Sequence, residues 1–525
     1  MNDHERPAGW AAARTRTVIF LSGCLLLGLT PTGFTQTLWQ ASSGDWFQPV
    51  NWSDGVPDSA TDAQINNGGT PEIAAAAAAT NNLTLGLDAG DFGNLIVSGA
   101  GSLDVTRQVS VGLEGIGSLT IQDGAIVTND TAVIGSYPDT SAGTVVVDGI
   151  GSTWSNNGSL DVGGFGIGSV MILNGGAVTA SGCSLAGPTH FSGGYGSVLV
   201  DGAGSSLSCT EGLGVNGSLS AQNGGAVVSD SATLNGIAVL DGAGTTWTTG
   251  TVFVATSTFG SLTIRNGAVL TSDDFAYISG EPFFGSVTVD GPGSKWEIDF
   301  EPVQLYVGVH GVLNLTAGGV VSAYAVSVGP YGLGEVTIDG AGSALDVRTN
   351  LYVGGADFGG GPQPGDTGLV QIANDGAVSC VATTVYGHGT LVDDGSLTSA
   401  SVAIAPGGLL RGNGSVSGDI SNSGQIAPGD SLGTLAIAGN LTQDAASKLI
   451  FEISGPSPDA QSHLSITGDA IFDGLVEVRF SEGFLPVQGE VFELIDVSGS
   501  VSGSFASVIF PDLRSGFQFS TQFVS

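Results

Sequence analysis

The stretch that decides the fold runs from Val145 to Ser152 and reads VVVDGIGS. The same phrase, V-x-V-D-G-x-G-S, returns along the chain in the copies whose aspartates are Asp148, Asp201, Asp241, Asp290 and Asp339. The intervals between these aspartates are 53, 40, 49 and 49 residues, and a weaker upstream copy, LIVSGAGS, has Ser98 in the aspartate's place. Self-similarity at a nearly constant period predicts a stacked, repetitive fold.

A second phrase of the same form lies between the copies, so the true unit is half as long. It reads GSLTIQDGA, GSVMILNGGA, GSLSAQNGGA, GSLTIRNGA and GLVQIANDGA, with turn residues at Asp123, Asn174, Asn223, Asn266 and Asp375. Each unit is a period-2 strand closed by an Asx-Gly turn, in which glycine supplies a positive φ and the Asx side chain bonds to nearby backbone. A unit of about two dozen residues fits one coil of a parallel β-helix.

Such a coil leaves its backbone unpaired unless it stacks on neighbours, at roughly 4.8 Å per rung. The region from residue 95 to 440 then holds about 14 rungs, in a rod of roughly 65 Å. We therefore predict an all-β protein, a right-handed parallel β-helix of roughly 14 rungs with an N-terminal cap and a C-terminal β module. The expected divisions are 1–35 signal peptide, 36–95 cap and first strands, 96–440 repeats, and 441–525 C-terminal module. The strands of that module, such as KLIFEISG, look antiparallel.

Aspartate and asparagine alternate at the turns, and this alternation has an electrostatic explanation. Carboxylates on every rung would lie ~5 Å apart and repel by about 0.8 kcal/mol even in water. Asparagine on alternate rungs keeps the turn bond without the charge. The sequence therefore favours a structural ladder of turns, with a string of cation sites along the same edge as the alternative.

The tryptophans fall into two groups with different predicted roles. The first group, Trp39, Trp46 and Trp52, precedes the repeats and is expected to cap the open edge of the first rung. The alternative for this group is a solvent-facing grip on sugars. The second group is Trp154, Trp247 and Trp296, each six residues after a turn aspartate, where other copies carry Leu207 or Leu345. Exchange of tryptophan with leucine indicates a core position.

Composition excludes several classes of function. The chain has 525 residues, 87 glycines and 41% apolar residues, which describes a folded repetitive protein rather than a disordered one. Lysine and arginine total 11 against 48 acidic residues, for a formal net charge of −37. This charge argues against nucleic acid, whose binding requires neutralised phosphates, and against anionic membrane surfaces. A surface that is acidic and rich in Ser, Thr and Asn is typical of extracellular proteins.

The N-terminal segment is typical of a secretory signal. Arg6, Arg14 and Arg16 precede the apolar run VIFLSGCLLLGL, and small residues near Thr35 suit a cleavage site, so the mature chain is expected to begin near Gln36. The alternative is a lipoprotein box at Leu21–Cys24. No other stretch is long and apolar enough to span a bilayer.

Two cysteines are spaced by about one coil. Cys183 and Cys209 lie 26 residues apart, so stacking could bring their Cα atoms within the bridging range of about 4.4 to 6.8 Å. Export permits disulfides without requiring them, which leaves a disulfide and two buried thiols as open alternatives. Cys380 is expected to be an unpaired core residue.

The repeats resemble a known family of exported proteins. The phrases V-D-G-x-G-S-x-W and G-S-L-T-I-x-N-G-G-A look like the repeat shared by type V secretion and PEP-CTERM-associated proteins. The block from Gly407 to Thr434, with PGDSLGTL beginning at Pro428, resembles the end of autotransporter passengers. The resemblance implies an exported β-helix at or beyond the outer membrane of a Gram-negative-type bacterium. The sequence stops at Ser525 without a β-barrel translocator or a Pro-Glu-Pro anchor, so release from the cell and a truncated reading frame are both open.

A polysaccharide lyase or hydrolase of the pectin-lyase-like type is the rival interpretation, because such enzymes share the β-helix. Gly387-His388-Gly389 followed by Asp393 and Asp394 is similar to polygalacturonase elements, but the order and spacing differ. The basic residues are scattered rather than gathered, and His190, His310 and His463 have no metal-ligand spacing. We therefore expect no enzyme and name no catalytic, cofactor-binding or metal-binding residue.

The predicted function is that of a structural, adhesin-like rod of the bacterial surface, extracellular matrix or biofilm. Its expected partners are cell-surface or matrix polysaccharide, or other copies of the chain, with no nucleic acid. Adhesive faces are assembled from many rungs, so no motif marks the ligand, the oligomeric state or the mode of anchoring.

Overall fold

The computed structural model describes residues 35–137, 140–186, 194–279, 282–298, 301, 304–357, 362–429, 431–481, 483–511, 518, 520 and 522. The predicted signal segment, the lipoprotein box and His190 lie outside these residues. The described chain forms a parallel β-helix with three faces. Each coil runs along face 1, turns onto face 2, bends onto face 3 and passes through a second turn into face 1 of the next coil.

The strands fall into four groups. Face 1 consists of Ser43–Asp45, Thr70–Ile73, Phe92–Ser98, Ile116–Gln122, Ala142–Asp148, Ile167–Leu173, Tyr195–Asp201, Ser218–Gln222, Ile237–Asp241, Gly260–Arg265, Gly285–Asp290, Gly311–Thr316, Gly334–Asp339, Gly368–Ala373, Gly389–Asp393, Leu409–Gly412, Gln425–Pro428, Lys448–Ile453, Leu475–Phe480 and Ser507–Ile509. Strands that belong to face 2 alone are Ala77–Thr80, Thr153–Asn156, Ala226–Ser229, Thr246–Thr249, Val269–Ser272, Lys295–Ile298, Val320–Ala323, Ala344–Val347, Gly433–Ala438, Ser462–Ile466 and Ile495–Val497. Strands that belong to face 3 alone are Thr35–Leu38, Thr61–Ile65, Leu83–Leu85, Leu160–Val162, Ser231–Leu234, Thr251–Val254, Ala276–Ile278, Gln304–Val307, Ala325–Val328, Asn350–Val353, Leu441–Gln443, Ala470–Phe472 and Val501–Gly503. Seven strands continue across the bend from face 2 to face 3, namely Ser102–Val111, Ile126–Ile134, Ala177–Leu185, Ser206–Val215, Ala377–Val385, Ser396–Ile404 and Ser415–Asn422.

Two short 3-10 helices, Pro49–Asn51 and Pro458–Ala460, lie in connections between strands. The glycine and proline insert forms an antiparallel hairpin, with Gly355–Asp357 paired to Pro362–Pro364. No helix in the described ranges is long and apolar enough to cross a membrane.

Alternation of small or polar with aliphatic residues builds the interior. In the strand Ile116–Gln122, Leu119 and Ile121 are buried while Ser118 and Thr120 face outward. Neighbouring coils stack in register, so that Ile121 lies beside Val147 of the next face 1 strand. Rows of like side chains therefore run along the axis and exclude water from a continuous aliphatic core.

Face 1 contains 20 described strands, which corresponds to a rod of roughly 90 Å at 4.8 Å per rung. The parallel β-helix fold is confirmed. Of these strands, 15 begin between Phe92 and Gln425, close to the 14 rungs expected for that region. The rod is longer than expected because the chain on both sides of the region adds further coils to the same faces. The expected divisions near residues 95 and 440 stay predictions, and the sheets cross both without a break.

The N-terminal tryptophans lie inside the rod. Trp39, Trp46 and Trp52 are at most 3% exposed. The ring of Trp52 packs edge-on against the other two, with its centroid 5.1 Å from that of Trp39 and 4.7 Å from that of Trp46. The indole N–H of Trp52 donates to the backbone oxygen of Trp46 at 2.8 Å. These side chains fill the interior at the first described coils and present no ring to solvent for a sugar; the capping role stays a prediction.

The antiparallel arrangement expected for the C-terminal strands is wrong. The strand Lys448–Ile453 pairs in parallel with Gln425–Pro428 on one side and with Leu475–Phe480 on the other. An alternating strand buries one face whichever way its neighbours run, so its local pattern carries no information on the direction of pairing.

The disulfide between Cys183 and Cys209 forms, with a Cα to Cα distance of 5.8 Å. Cys183 lies on face 3 and Cys209 on face 2 of the next coil, and both side chains point inward. The bridge therefore joins two coils across the bend between these faces. Cys380 is a free, partly buried thiol, whose sulfur lies 3.1 Å from the hydroxyl of Thr383.

Candidate functional site

The corner between face 1 and face 2, called here the Asx corner, alternates a short turn with a long one. The short turn at Leu173-Asn174-Gly175-Gly176 has φ values of 51° and 91° at its two central residues, and the N–H of Gly176 donates to the oxygen of Leu173 at 2.9 Å. Two successive positive φ values define a type I′ turn, for which Asn-Gly is the preferred sequence.

The long turn carries the D-G-x-G-S phrase and is closed by its last residue. Gly149 and Gly151 have φ values of 93° and 86°, and the hydroxyl of Ser152 donates to the backbone oxygen of Asp148 at 2.6 Å. Ser152 is fully buried. The same hydroxyl bond recurs at Ser205, Thr245, Ser294 and Ser343.

Asparagine of each short turn reaches back to the aspartate of the preceding long turn. Nδ2 of Asn174 donates to Oδ1 of Asp148 at 2.7 Å. Equivalent bonds join Asn223 to Asp201 at 2.7 Å, Asn266 to Asp241 at 2.7 Å and Asn374 to Asp339 at 2.6 Å. The alternation thus separates the charges, as the sequence indicated, and also pairs one amide donor with one carboxylate acceptor at each step.

The next step along the corner uses a different bond. The N–H of Gly175 in the short turn donates to the hydroxyl of Ser205 in the following long turn at 3.0 Å. The same bond links Gly124 to Ser152, Gly224 to Thr245, Gly267 to Ser294 and Gly318 to Ser343, each at 3.0 Å. The repeating unit of the ladder is therefore two coils, which explains why each sequence phrase recurs on every second coil.

Some short turns depart from the phrase. The first carries Asp123, with a φ of 58°, where others carry asparagine; the preceding long turn carries Ser98 and the following one Asp148, so here aspartates lie at the turns of two successive coils. In the turn after Thr316, Ala317 takes the left-handed φ of 51° and the hydroxyl of Thr316 donates to Asp290 at 2.6 Å. In the phrase assigned to Asp375, the residue in the asparagine position is Asn374, one residue earlier.

The carboxylates of the ladder are held by hydrogen-bond donors from the chain itself. The amide of Asn266 lowers the pKa of Asp241, and Arg265 adds to this effect with an ion pair at 2.8 Å. Within the described residues, no group of three or more His, Cys, Asp or Glu side chains could hold a metal ion. The hydrogen bonds that the asparagine and serine side chains make between coils support the structural ladder of turns.

The residues that are similar to polygalacturonase elements do not form a cluster. His388 precedes the strand Gly389–Asp393 and is exposed, whereas Asp393 ends it and is buried, so the strand's length of about 15 Å separates them. Burial, aided by the nearby charge of Asp394 and opposed by a hydrogen bond from the Gly395 N–H, raises the pKa of Asp393 to about 7. Asp393 Oδ2 has no hydrogen-bond partner within the described chain.

Several basic residues are engaged in local pairs along the rod. Lys448 and Arg479 both contact Glu477 on the neighbouring or the same strand, and Lys295 lies 3.9 Å from Glu297. The described structure does not gather these cations beside a carboxylate pair.

The corner between face 3 and face 1, called here the glycine corner, holds a surface that the sequence interpretation missed. A glycine lies in register near the start of successive face 1 strands, because a Cβ there would strike the coil below. At Gly143 it would lie 2.1 Å from the oxygen of Val111, and at Gly196 2.0 Å from that of Val162. The residue just before the glycine is consequently exposed on seven of these coils, and it is half-buried at Ala142, Asn216, Asn235 and His310. The signal in the sequence is an apolar residue preceding the glycine of G-S-L-T-I and its relatives.

The residues at this position from Phe92 to Leu333 form one line, called here the corner column; the next two coils carry the polar residues Thr367 and His388 at the same position, and these are not counted in it. In chain order its members are Phe92, Ile116, Ala142, Ile167, Tyr195, Asn216, Asn235, Phe259, Phe284, His310 and Leu333. The register of the face 1 strands places the first five side by side on consecutive coils. Phe284 and His310 continue the contact with ring centroids 4.7 Å apart.

Comparison with known proteins finds similarity in fold only. No protein-family model matches the chain, and no curated protein matches it in sequence. Among solved structures, the chain is similar to the TibC-catalyzed hyper-glycosylated TibA55-350 fragment, at 14% identity and a TM-score of 0.28. The match covers 78% of this chain and 99% of that one.

Proposed function

We propose that this protein is an exported, adhesin-like structural rod that acts at the outer surface of a bacterium or in its extracellular matrix. The observation that carries the proposal is the unbroken parallel register of the 20 face 1 strands, which makes one elongated body with large flat faces. Such a shape provides reach and contact area. The N-terminal signal pattern, the net charge of −37 and the disulfide support a location outside the reducing cytosol.

The likeness of the repeats to those of type V secretion and PEP-CTERM-associated proteins supports an autotransporter-passenger-like role. In this proposal the flat faces, whose outward positions are mostly Ser, Thr and other small residues, make diffuse contacts with polysaccharide or protein on neighbouring cells. Binding strength then comes from many weak contacts that engage together along the rod.

The experiment compares three strains for attachment and biofilm mass: a deletion strain, the same strain complemented with the full gene, and one complemented with a gene lacking residues 242–290. This deletion removes two coils and joins Asp241 to Gly291, so the alternation of short and long turns is preserved. We expect the deletion strain to lose attachment and both complemented strains to regain most of it, because no single coil carries the contact.

Two results would contradict the proposal. One is unchanged attachment and biofilm mass in the deletion strain. The other is release of reducing ends or unsaturated products when the purified protein is incubated with pectin, alginate or glucans, which would favour the enzyme interpretation.

A further inference from the structure

We infer that the corner column is the surface through which two copies of the rod associate side by side. This inference names a partner for the structural role proposed above and rests on that role for its biological meaning. The large apolar members of the column are exposed: Phe92 is 50% exposed, Tyr195 51%, and Phe259 and Phe284 58% each. Contiguous apolar surface of this kind marks interaction sites on soluble proteins.

Folding alone does not account for apolar residues in the column. The core is filled by the inward rows of the three faces, and the glycine that follows each column residue forces that residue away from the core. Stacking between neighbours in the column adds only a small stabilisation per pair. A polar residue would serve the same turn, as Asn216 and Asn235 do on two coils.

The chemistry of the column fits a protein surface better than a sugar. Ile116, Ile167 and Leu333 are 43%, 51% and 46% exposed and offer no flat ring on which a sugar could stack. The eleven members also include no Asp, Glu, Lys or Arg, on a chain that carries 48 acidic residues. A line without carboxylates is where two strongly acidic rods can approach with the least repulsion.

The area available is that of a stable dimer. Three aromatic side chains of the same corner's loops, Tyr137, Phe165 and Tyr331, are also 58%, 42% and 52% exposed. Together with the apolar members of the column they make about ten half-exposed large side chains, at roughly 100 Å² each. The sum, roughly 1,000 Å² per rod, is sufficient for the ~800 Å² per partner of a standard protein interface.

The order of residues in the column suits a two-fold arrangement. Asn216 lies at its middle, with five members before it and five after. An antiparallel pair with its two-fold axis at this coil would bring Ile167 opposite Phe259 of the second copy, and Phe92 opposite Leu333. Such an isologous contact closes after two copies, which gives a dimer rather than an open polymer.

The test is sedimentation velocity of the purified protein at micromolar concentration, with two double variants and one matched control. We expect the wild-type protein to sediment as a dimer. Phe259→Ser with Phe284→Ser, and Ile116→Ser with Ile167→Ser, should each weaken dimerisation by roughly a hundredfold, since truncating a central anchor costs about tenfold or more. The control, Ile150→Ser with Val381→Ser, removes residues that are 87% and 57% exposed at other corners and should leave the dimer intact.

Salt separates this contact from a charge-driven one. Raising the NaCl concentration should preserve or strengthen the dimer, because screening weakens the repulsion between acidic rods. Circular dichroism of each variant, compared with the control, reports whether the β-helix has folded.

A wild-type protein that stays monomeric would overturn the inference, as would a dimer that both column variants retain. A neutral soluble β-glucan could instead shift the sedimentation of a monomeric wild-type protein and leave the variant with Phe259→Ser and Phe284→Ser unchanged. That result would assign the column to sugar. The attachment assay tests the proposed function separately. A dimer without attachment would contradict the proposed function and leave this inference standing. Attachment by a monomeric protein would support the proposed function and contradict this inference.

Discussion

Asn174 lies 26 residues after Asp148, and its side-chain Nδ2 donates to Oδ1 of that aspartate at 2.7 Å, which joins one coil to the next. The same pair of roles, amide donor and carboxylate acceptor, returns at Asn223, Asn266 and Asn374. The Asx corner is thus a row of charge-assisted hydrogen bonds with a fixed polarity along the rod.

Replacing the donor with a second acceptor tests this polarity. We expect Asn174→Asp to lower the free energy of unfolding by about 2 kcal/mol at neutral pH, because the bond is lost and two carboxylates come into contact. Denaturant midpoints measure the change. The double variant Asp148→Asn with Asn174→Asp exchanges donor and acceptor and should recover most of the loss. Equal midpoints for Asn174→Asp and wild type would show that the bond contributes nothing.

The buried hydroxyl of the long turn is expected to matter more than its size suggests. Ser205→Ala leaves the N–H of Gly175 without its acceptor in a buried position, which should cost about 1 to 3 kcal/mol. Ser205→Thr is the matched control, since Thr245 makes the same two bonds in another coil. Hydrogen exchange should be faster at the Gly175 amide in the alanine variant and unchanged in the threonine variant. Protection that is equal in both would contradict the assignment.

One turn carries a removable strain. Ala317 has a φ of 51°, a left-handed conformation that costs a residue with a Cβ roughly 1 to 2 kcal/mol and that asparagine tolerates better. Ala317→Asn should therefore raise the free energy of unfolding by about 1 kcal/mol. Ala243→Asn, at an exposed turn position without a positive φ, is the control and should bring no gain. A stabilisation of the same size in both variants would point to a cause other than the backbone.

Asp393 should make stability depend on pH. Its pKa in the fold is about 7, above the ordinary value of 3.8, so the folded protein binds this proton more tightly than the unfolded chain. The resulting stabilisation is fully present below pH 3.8 and is lost as the pH rises from there through 7. Asp393→Asn should be more stable than wild type at pH 8, and this advantage should shrink as the pH falls toward 4.

The measured quantity is the difference in the free energy of unfolding between wild type and Asp393→Asn at each pH, which cancels the pH dependence that the two proteins share. Asp394→Asn is the control. It removes the neighbouring negative charge, which should lower the pKa of Asp393 and shift the loss of its stabilisation to lower pH. A difference between wild type and Asp393→Asn that is constant with pH would refute a raised pKa.

The disulfide should stabilise the middle of the rod. Closing the chain between Cys183 and Cys209, which are 26 residues apart, restricts the unfolded state by about 3 kcal/mol in the loop-entropy model. Replacing both residues with serine should lower the denaturant midpoint and abolish its response to reductant. Cys380→Ser, which removes the free thiol, should retain that response. A wild-type midpoint that reductant does not change would contradict the prediction.

The sequence was sufficient for features that depend on local pattern. The coil length, the Asx-Gly turns and the burial of Trp154 follow from spacing and from the positive φ that glycine permits. In the structure, the indole N–H of Trp154 also donates to Asn129 of the preceding coil at 2.7 Å, a partner that spacing alone did not identify. The exchange of tryptophan with leucine in that slot pointed to the core without revealing how the indole is satisfied.

Features that depend on neighbours in space were not predictable in this way. The parallel pairing of Lys448–Ile453 requires knowledge of which strands lie beside it. The exposure of Phe92 and Phe284 depends on how closely a glycine on one coil approaches the backbone of another. The bond from Asn174 to Asp148 requires the register, since a shift of one residue would aim the two side chains elsewhere.

The two-coil unit of the Asx corner also constrains how such a gene can grow. Duplication of a single coil would set two asparagine turns or two aspartate turns against each other and break the alternation of donor and acceptor. Duplication of a pair preserves it, and the interval of 49 residues occurs twice in succession, from Asp241 to Asp290 and from Asp290 to Asp339. The smallest segment whose duplication preserves the Asx corner is therefore two coils, whereas the smallest structural unit is one coil. Related rods should accordingly differ in length by even numbers of coils.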